Sequence, residues 1–130
     1  MSKKIIWIED DVGIISPVVR PLERAGHKIV SYTTVNEALK HMSDLESADL
    51  LLVDMIHPPG KNNDLSHYPG LDLVQKVRNE FKWDIPIIVL TVVTNAEVKK
   101  QLDKLNIAAV INKPVRPSIL KEEVEKALGI

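Results

Sequence analysis

Five polar side chains in this sequence stand at or just beyond the ends of short apolar runs. They are Glu9, Asp10, Asp54, Thr91 and Lys113. Carboxylates, hydroxyls and amines are the groups with which proteins bind cations and phosphoryl oxygens. A lone acid after a strand is most simply a loop or cap residue, so the chemistry depends on whether the fold brings these groups together.

Asp54 ends an apolar run at residues 50–53, which follows a polar turn at Ser47. A continuous apolar run of this length is typical of a strand that is buried on both faces in a parallel sheet. Such a strand would deliver Asp54 to its C-terminal end, the edge at which open α/β sheets bind ligands.

Apolar, β-favouring segments alternate along the chain with segments of helical periodicity. The pattern predicts strands at residues 5–8, 28–32, 50–54, 85–91 and 108–112, and helices at about 13–25, 35–45, 70–81, 95–105 and 117–128. This (βα)5 pattern predicts an α/β fold, a doubly wound five-stranded parallel sheet with helices on both faces and right-handed crossovers.

The first predicted helix contains two prolines, Pro17 and Pro21. Pro17 is tolerable in the first turn. Pro21 should kink the helix or leave a backbone carbonyl unpaired, because proline has no N–H to donate.

The C-terminal ends of parallel strands lie at one edge of the sheet, so the polar groups are expected to face one crevice. Three carboxylates packed together repel one another and need a cation. Mg²⁺ is the natural candidate, because it prefers oxygen ligands and keeps several waters for a phosphoryl oxygen. Lys113 and Thr91 suit the negative charge of a phosphoryl group, and a carboxylate can be the nucleophile in its transfer.

Length and composition exclude several classes of protein. A chain of 130 residues suits one domain with its own core, and we expect residues 1–130 to be a single domain with no attached output domain. The absence of cysteine excludes disulfides and thiolate sites, and the net charge of −1 argues against a dominant nucleic-acid surface. Neither a signal peptide nor a membrane span is visible, so a soluble cytoplasmic protein is expected.

Four short motifs stand in order on the (βα)5 pattern. They are Glu9-Asp10 after the first strand, Asp54 at the end of the third, Thr91 at the end of the fourth and Lys113-Pro114 after the fifth. Together they resemble the receiver domain of response regulators in two-component signalling, over essentially the whole chain. The resemblance implies a flavodoxin-like fold with strand order 2-1-3-4-5.

The resemblance also implies a role for each site residue. Asp54 would accept a phosphoryl group from a phosphohistidine of a histidine kinase or a histidine phosphotransfer protein. Mg²⁺ would be bound directly by Asp10, Asp54 and the backbone carbonyl of Ile56, with Glu9 acting through a bound water. Thr91 and Lys113 would contact phosphoryl oxygens.

A domain of this kind is a signalling module that assists its own phosphorylation and dephosphorylation, and not an enzyme with a separate substrate. Its output would be contact with a downstream protein through the surface of the fourth helix, the fifth strand and the fifth helix. We expect no direct binding to nucleic acid or membrane, and either a monomer or a dimer that forms on phosphorylation.

Three features depart from the family pattern. One is Val92, which is bulkier than the small residue common after the Thr and from which we predict slow autodephosphorylation. Residues 58–69 form a longer link than usual, which we interpret as an exposed loop. It is either a tolerated surface insertion or a segment that contacts a partner or covers the site. Val110 stands where the family often has an aromatic residue that swings inward on phosphorylation, so the switch must use other packing or be weak.

Other functions fit some of the same residues. A haloacid-dehalogenase-like phosphatase or phosphotransferase also has an Asp nucleophile, but generally carries a second acid two residues later, where this chain has Ile56. A flavodoxin-like cofactor binder would need a Gly-rich loop after the first strand, which is missing. A receiver fragment of a larger regulator or hybrid kinase, or a receiver-like binding module that works unphosphorylated, would share every motif.

The histidines and the first tryptophan have simpler interpretations. His57 follows Asp54 closely, but no second His or Cys completes a metal site, so we interpret it as a solvated loop histidine. The same interpretation is given to His27, His41 and His67. Trp7 is expected in the core.

Overall fold

The structure is a computed structural model that describes residues 2–54, 69–91 and 96–130. Its centre is a five-stranded parallel sheet in the order β2-β1-β3-β4-β5. The strands are β1 (Lys4–Ile8), β2 (Lys28–Tyr32), β3 (Leu50–Asp54), β4 (Ile87–Thr91) and β5 (Ala109–Asn112). The predicted fold class is confirmed, with each predicted strand present and two of them starting one or two residues later than the sequence pattern indicated.

Helices cover both faces of the sheet. They are α1 (Val12–Arg24), α2 (Val35–Leu39), α3 (Met42–Ser47), α4 (Pro69–Gln75), α5 (Ala96–Asp103) and α6 (Pro117–Leu128). A π-helical turn, Lys76–Glu80, continues α4 directly. The predicted starts of α1 and α6 agree with the observed ones to within one residue. The Asp11 side chain caps α1 by accepting a hydrogen bond from the Gly13 amide, and Pro117 is the first residue of α6.

The prediction of a single helix at residues 35–45 is wrong, because the chain forms two short helices there. Thr34 caps α2 as predicted, accepting a hydrogen bond from the Glu37 amide at 3.0 Å. His41 then leaves the helical conformation and stacks on Tyr32, with ring centroids 5.0 Å apart. The Tyr32 hydroxyl donates to the Asp44 carboxylate at 2.5 Å. These contacts with β2 set the start and direction of α3, and helical periodicity alone does not contain them.

Two apolar layers sandwich the sheet, since successive side chains of a strand point to opposite faces. Ile5 and Trp7 pack with α1 and α6 on one face, while Ile6 and Ile8 pack with α2 to α5 on the other. All five residues of β3 are buried. Trp7 is fully buried, which confirms it as a core residue.

The predicted loop at residues 58–69 lies almost entirely outside the described residues. Pro69, which the prediction included in the loop, is instead the first residue of α4. Proline is tolerated there because the first turn of a helix needs no N–H from it.

His27 is buried, and its interpretation as a solvated loop histidine is wrong. Its Nδ1 accepts a hydrogen bond from the Lys3 amide at 3.2 Å. His41 is exposed as expected, whereas His57 and His67 lie outside the described residues.

In the part of the chain that the structure describes, no helix has both the length and the apolar character needed to cross a bilayer.

Candidate functional site

Strand pairing brings the acidic residues together at the C-terminal edge of the sheet. In the register of β1 and β3, Ile8 lies opposite Val53, so the next residues along each strand, Glu9 and Asp54, are neighbours. Oxygen atoms of Glu9, Asp10 and Asp54 lie within 4.8 Å of one another. The sequence predicted this grouping from strand ends alone.

The two central carboxylates are removed from solvent. Glu9 is 0% exposed and Asp54 is 1% exposed, while Asp10 is half-buried. A buried carboxylate is strongly destabilised unless a cation or hydrogen-bond donors compensate it. The site therefore needs a positive charge, and its own chain supplies one.

Lys113 reaches both buried carboxylates from the connection after β5. Its Nζ lies 3.1 Å from each oxygen of Glu9 and 3.2 Å from Oδ2 of Asp54. The Lys113 amide donates a hydrogen bond to the Thr91 carbonyl at 2.9 Å. This bond continues the pairing of β4 and β5 and fixes the backbone position of Lys113. The peptide bond from Lys113 to Pro114 is cis.

The pKa values of Asp54 and Lys113 are shifted by burial and by the charges that lie close to them. Burial, followed by the charge of Glu9, raises the pKa of Asp54 from 3.8 to about 7, against the opposing effect of Lys113. Burial alone would lower the pKa of Lys113, but Asp54 and Glu9 outweigh it and raise that pKa above its usual value. Lys113 is therefore a cation at neutral pH, and Asp54 is poised between its two protonation states when no further cation is present.

Thr91 belongs to the same edge of the sheet. It is the last residue of β4 and is 3% exposed. Asp54 lies opposite Leu90 in the register of β3 and β4, so Thr91 is one residue further towards the site. Four of the predicted site residues, Glu9, Asp10, Asp54 and Lys113, thus lie within a few ångströms of one another, and Thr91 lies at their edge. Ile56 lies outside the described residues.

The chemistry of the donor set fits a hard divalent cation. Three carboxylates with oxygens within 4.8 Å provide more negative charge than Lys113 neutralises, and all the ligand atoms are oxygens. Mg²⁺ and Ca²⁺ prefer oxygen ligands, and Mg²⁺ is satisfied by one or two carboxylates together with waters.

A cavity of about 750 Å³ opens from these carboxylates towards α1 and the connection between β5 and α6. Its acidic end is formed by Glu9, Asp10 and Asp54, and its other walls include Ile14, Pro17 and Val115. The sequence did not predict this apolar wall, because the wall depends on how α1 and the connection after β5 lie beside each other.

The chain is similar to known proteins over most of its length. The sequence profile of the family described as response regulator receiver domain matches residues 5–125. Chemotaxis protein CheY1 of Helicobacter pylori is 45% identical over 128 residues, covering 97% of this chain and 97% of its own. A chemotaxis protein CheY homolog of Campylobacter jejuni is 33% identical over 129 residues, covering 97% of this chain and 92% of its own.

The fold has counterparts among solved structures. A CheY-like response regulator receiver domain protein from Methanospirillum hungatei superimposes with a TM-score of 0.81 at 25% identity, covering 99% of this chain and 95% of that one. Other relatives are longer. The chain spans 34% of the transcriptional regulatory protein PhoP of Bacillus subtilis and 55% of CrdR of Helicobacter pylori.

Proposed function

The chain belongs to the response regulator receiver domain family, and from this premise we propose that it accepts a phosphoryl group on Asp54 from a phosphohistidine of a histidine kinase or histidine phosphotransfer protein. The observation that carries the proposal is the position of Asp54. Its carboxylate ends a fully buried strand, is 1% exposed, and lies 3.2 Å from the Nζ of Lys113 at the opening of a cavity.

The transfer is a displacement at phosphorus. An oxygen of Asp54 forms a bond to phosphorus while the bond from phosphorus to the imidazole nitrogen breaks, and the released histidine keeps the electron pair and takes up a proton. The Lys113 ammonium, which bridges Glu9 and Asp54, is placed to balance charge on the phosphoryl oxygens. Thr91 supplies a hydroxyl donor from the adjacent strand end.

Mg²⁺ is the metal that we propose for this site. Asp10 and Asp54 would bind it directly and Glu9 would act through a water, as the spacing of these carboxylates allows. The backbone carbonyl of Ile56 is proposed as a further ligand. When bound, the ion would neutralise charge on the phosphoryl oxygens and on the carboxylates together.

The output that we propose is contact with a downstream protein through α5, β5 and α6, in the cytoplasm and without direct binding to nucleic acid. The helices α5 and α6 correspond to the fourth and fifth predicted helices. Their numbers are higher by one because the second predicted helix is two helices, α2 and α3, in the structure. Val110 of β5 is 49% exposed and Ile119 of α6 is 41% exposed, and both line a depression of about 370 Å³ together with Arg116. An apolar surface of this kind is available to a partner.

We further propose a monomer, or a dimer that forms on phosphorylation, with residues 1–130 as one receiver domain.

A receiver within a longer regulator is the second candidate. It is favoured by the matches to transcriptional regulators of which the chain spans 34% and 55%. The position of the stop codon in the source gene distinguishes the two candidates.

The first experiment is intact-mass measurement after incubation with acetyl phosphate and Mg²⁺. The wild type is expected to gain one phosphoryl group. Asp54→Ala and a sample without divalent cation should gain none, whereas Asp103→Ala, which removes an exposed acid of α5, should be labelled normally. Labelling of Asp54→Ala to the wild-type extent would refute Asp54 as the acceptor.

A further inference from the structure

The sheet ends on one side at β2, which pairs only with β1 among the described strands. The residues of β2 are exposed or half-buried, whereas all five residues of β3 are buried. We use the term outer edge of β2 for the side of residues 28–32 that faces away from β1. This outer edge is accessible to another strand, because an edge strand presents N–H and C=O groups that its own sheet does not pair.

The outer edge carries the backbone groups of two residues. The Tyr32 carbonyl accepts a hydrogen bond from the Glu9 amide at 2.9 Å, and the Lys28 amide donates to the residue before β1 at the same distance. Alternate residues of a parallel strand bond the same neighbour, so every second residue from Lys28 to Tyr32 bonds β1. The N–H and C=O groups of Ile29 and Ser31 therefore point outward.

Two copies of β2 fit each other along this edge when they run antiparallel about Val30. Ile29 of one copy then lies opposite Ser31 of the second copy, and the two residues exchange both of their hydrogen bonds. Val30 lies opposite its own counterpart at the centre, where side chains of antiparallel strands come closest. The arrangement is twofold symmetric, as most protein dimers are.

The charges along the edge are complementary in the same register. Lys28 is exposed and lies opposite Tyr32 of the second copy, on one face of the sheet, because residues an even number of positions apart share a face. Burial, followed by the hydrogen bond to Asp44 and the charges of Asp44 and Glu37, raises the pKa of Tyr32 to about 12. Both acids thus lie close to the Tyr32 ring, and each Lys28 approaches the acids of the other copy.

We propose that the outer edge of β2 binds a second copy of this chain, so that the two five-stranded sheets continue into one sheet across a twofold axis. The association requires no phosphoryl group and leaves the surface of α5, β5 and α6 free. It therefore differs from a dimer that forms on phosphorylation. A contact between two five-residue strands is small, so the dimer is weak and forms at micromolar to millimolar concentration.

The first measurement follows the unphosphorylated chain from about 10 µM to about 1 mM, the range in which a small interface associates. Sedimentation velocity gives the association constant. Amide hydrogen exchange, followed by NMR, locates the interface. We expect exchange at Ile29 and Ser31 to slow by about ten-fold or more at the high concentration, whereas the amides of Val30 and Tyr32, which bond β1, should be protected at both concentrations.

A pair of substitutions at Ser31 tests the hydrogen bonds. Ser31→Pro removes an outward N–H and leaves the bonds between β2 and β1 in place, since proline is tolerated where the N–H of an edge strand faces solvent. The association constant should fall by about ten-fold or more, because each copy loses one hydrogen bond across the interface. Ser31→Thr keeps the N–H and should associate within about two-fold of the wild type. A circular dichroism melt of dilute protein verifies that both variants fold.

A charge exchange tests the register without changing the backbone. Lys28→Glu and Glu37→Lys each place like charges opposite one another, and each should lower the association constant by about three-fold or more. The double variant Lys28→Glu with Glu37→Lys restores opposite charges and should recover most of the lost association. A general effect on folding would not be reversed in this way.

Three results would overturn the proposal. The first is a chain that remains monomeric up to about 1 mM. The second is a dimer whose association constant is unchanged in Ser31→Pro and in both single charge variants, because its interface would then lie elsewhere. The third is concentration-dependent exchange that spares Ile29 and Ser31. None of these results bears on Asp54, so the proposed function is tested separately.

Discussion

The Asp54 carboxyl group occupies an environment that disfavours its charged form. Burial and the neighbouring Glu9 raise its pKa from 3.8 to about 7 in the absence of a divalent cation. The folded protein therefore binds this proton more tightly than the unfolded chain does. The contribution of Asp54 to stability is greatest below about pH 4 and falls as the pH rises towards about 7.

The direction of this pH dependence gives a prediction for Asp54→Asn, a substitution that keeps the shape of the side chain and removes its charge. In the presence of a chelator at pH 8, we expect the variant to be more stable than the wild type by roughly 2–4 kcal/mol. The difference should shrink as the pH falls towards 4, where the wild-type carboxyl is itself neutral. Urea unfolding of both proteins across this range measures it.

The matched control is Asp103→Asn, because Asp103 is an exposed acid on α5. It should show little difference from the wild type at any pH. A stability difference for Asp54→Asn that does not change between pH 8 and pH 4 would contradict the assignment of the raised pKa to Asp54.

One side chain, that of Arg78, connects the π-helical turn to the segment that follows α5. The Arg78 guanidinium donates to three backbone carbonyls, those of Trp83 at 2.7 Å, Leu105 at 2.8 Å and Asn106 at 3.2 Å. Leu105 and Asn106 lie in the turn that follows α5, which ends at Asp103, so a side chain that binds their carbonyls fixes the path of this connection. Here that connection leads into β5.

We expect Arg78→Lys to lower the free energy of unfolding by about 2–3 kcal/mol, because a lysine ammonium has no planar fork and cannot reach three separated carbonyls at once. Arg24→Lys, an exposed change in the last turn of α1, should have almost no effect. Chemical denaturation of the two variants beside the wild type gives the comparison. Equal stabilities would show that the three hydrogen bonds contribute nothing net.

Elements also differ in how well the sequence predicts them. The limits of β3 were predicted to the residue, because a strand buried on both faces has an apolar run that ends where the burial ends. The interruption between α2 and α3 was missed, because residues 35, 38, 39, 42 and 45 keep helical spacing across it. It depends on Tyr32 and Asp44 meeting across elements, which local sequence does not encode.

Across the whole molecule, the parallel sheet is what made the site predictable. Strand ends in such a sheet meet at one edge, so Glu9, Asp54 and Thr91 were grouped before any distance was known. The bridging of Glu9 and Asp54 by Lys113 depends on a side-chain conformation, and the apolar cavity wall depends on how α1 packs beside α6. Neither property has a sequence pattern, so both required the structure.

The stability of the whole fold should also depend on the concentration of Mg²⁺. The carboxylates that we propose as ligands come from the end of β1 and the end of β3, so an ion held between them favours the folded chain, in which these ends are adjacent. A ligand that binds the folded state alone stabilises it by RT ln(1 + [L]/Kd), about 1.4 kcal/mol at ten times Kd. We expect Mg²⁺ to raise the melting temperature of the wild type by several degrees.

Asp10→Asn should abolish this rise, because it removes a proposed direct ligand while leaving the buried pair of Asp54 and Lys113 in place. Asp103→Asn should melt like the wild type with and without Mg²⁺. If Asp10→Asn shows the full Mg²⁺ effect, the ion stabilises the protein elsewhere and the acidic cluster is not its site. Loss of the effect in Asp10→Asn alone would identify the edge shared by β1 and β3 as the place where metal binding and folding are linked.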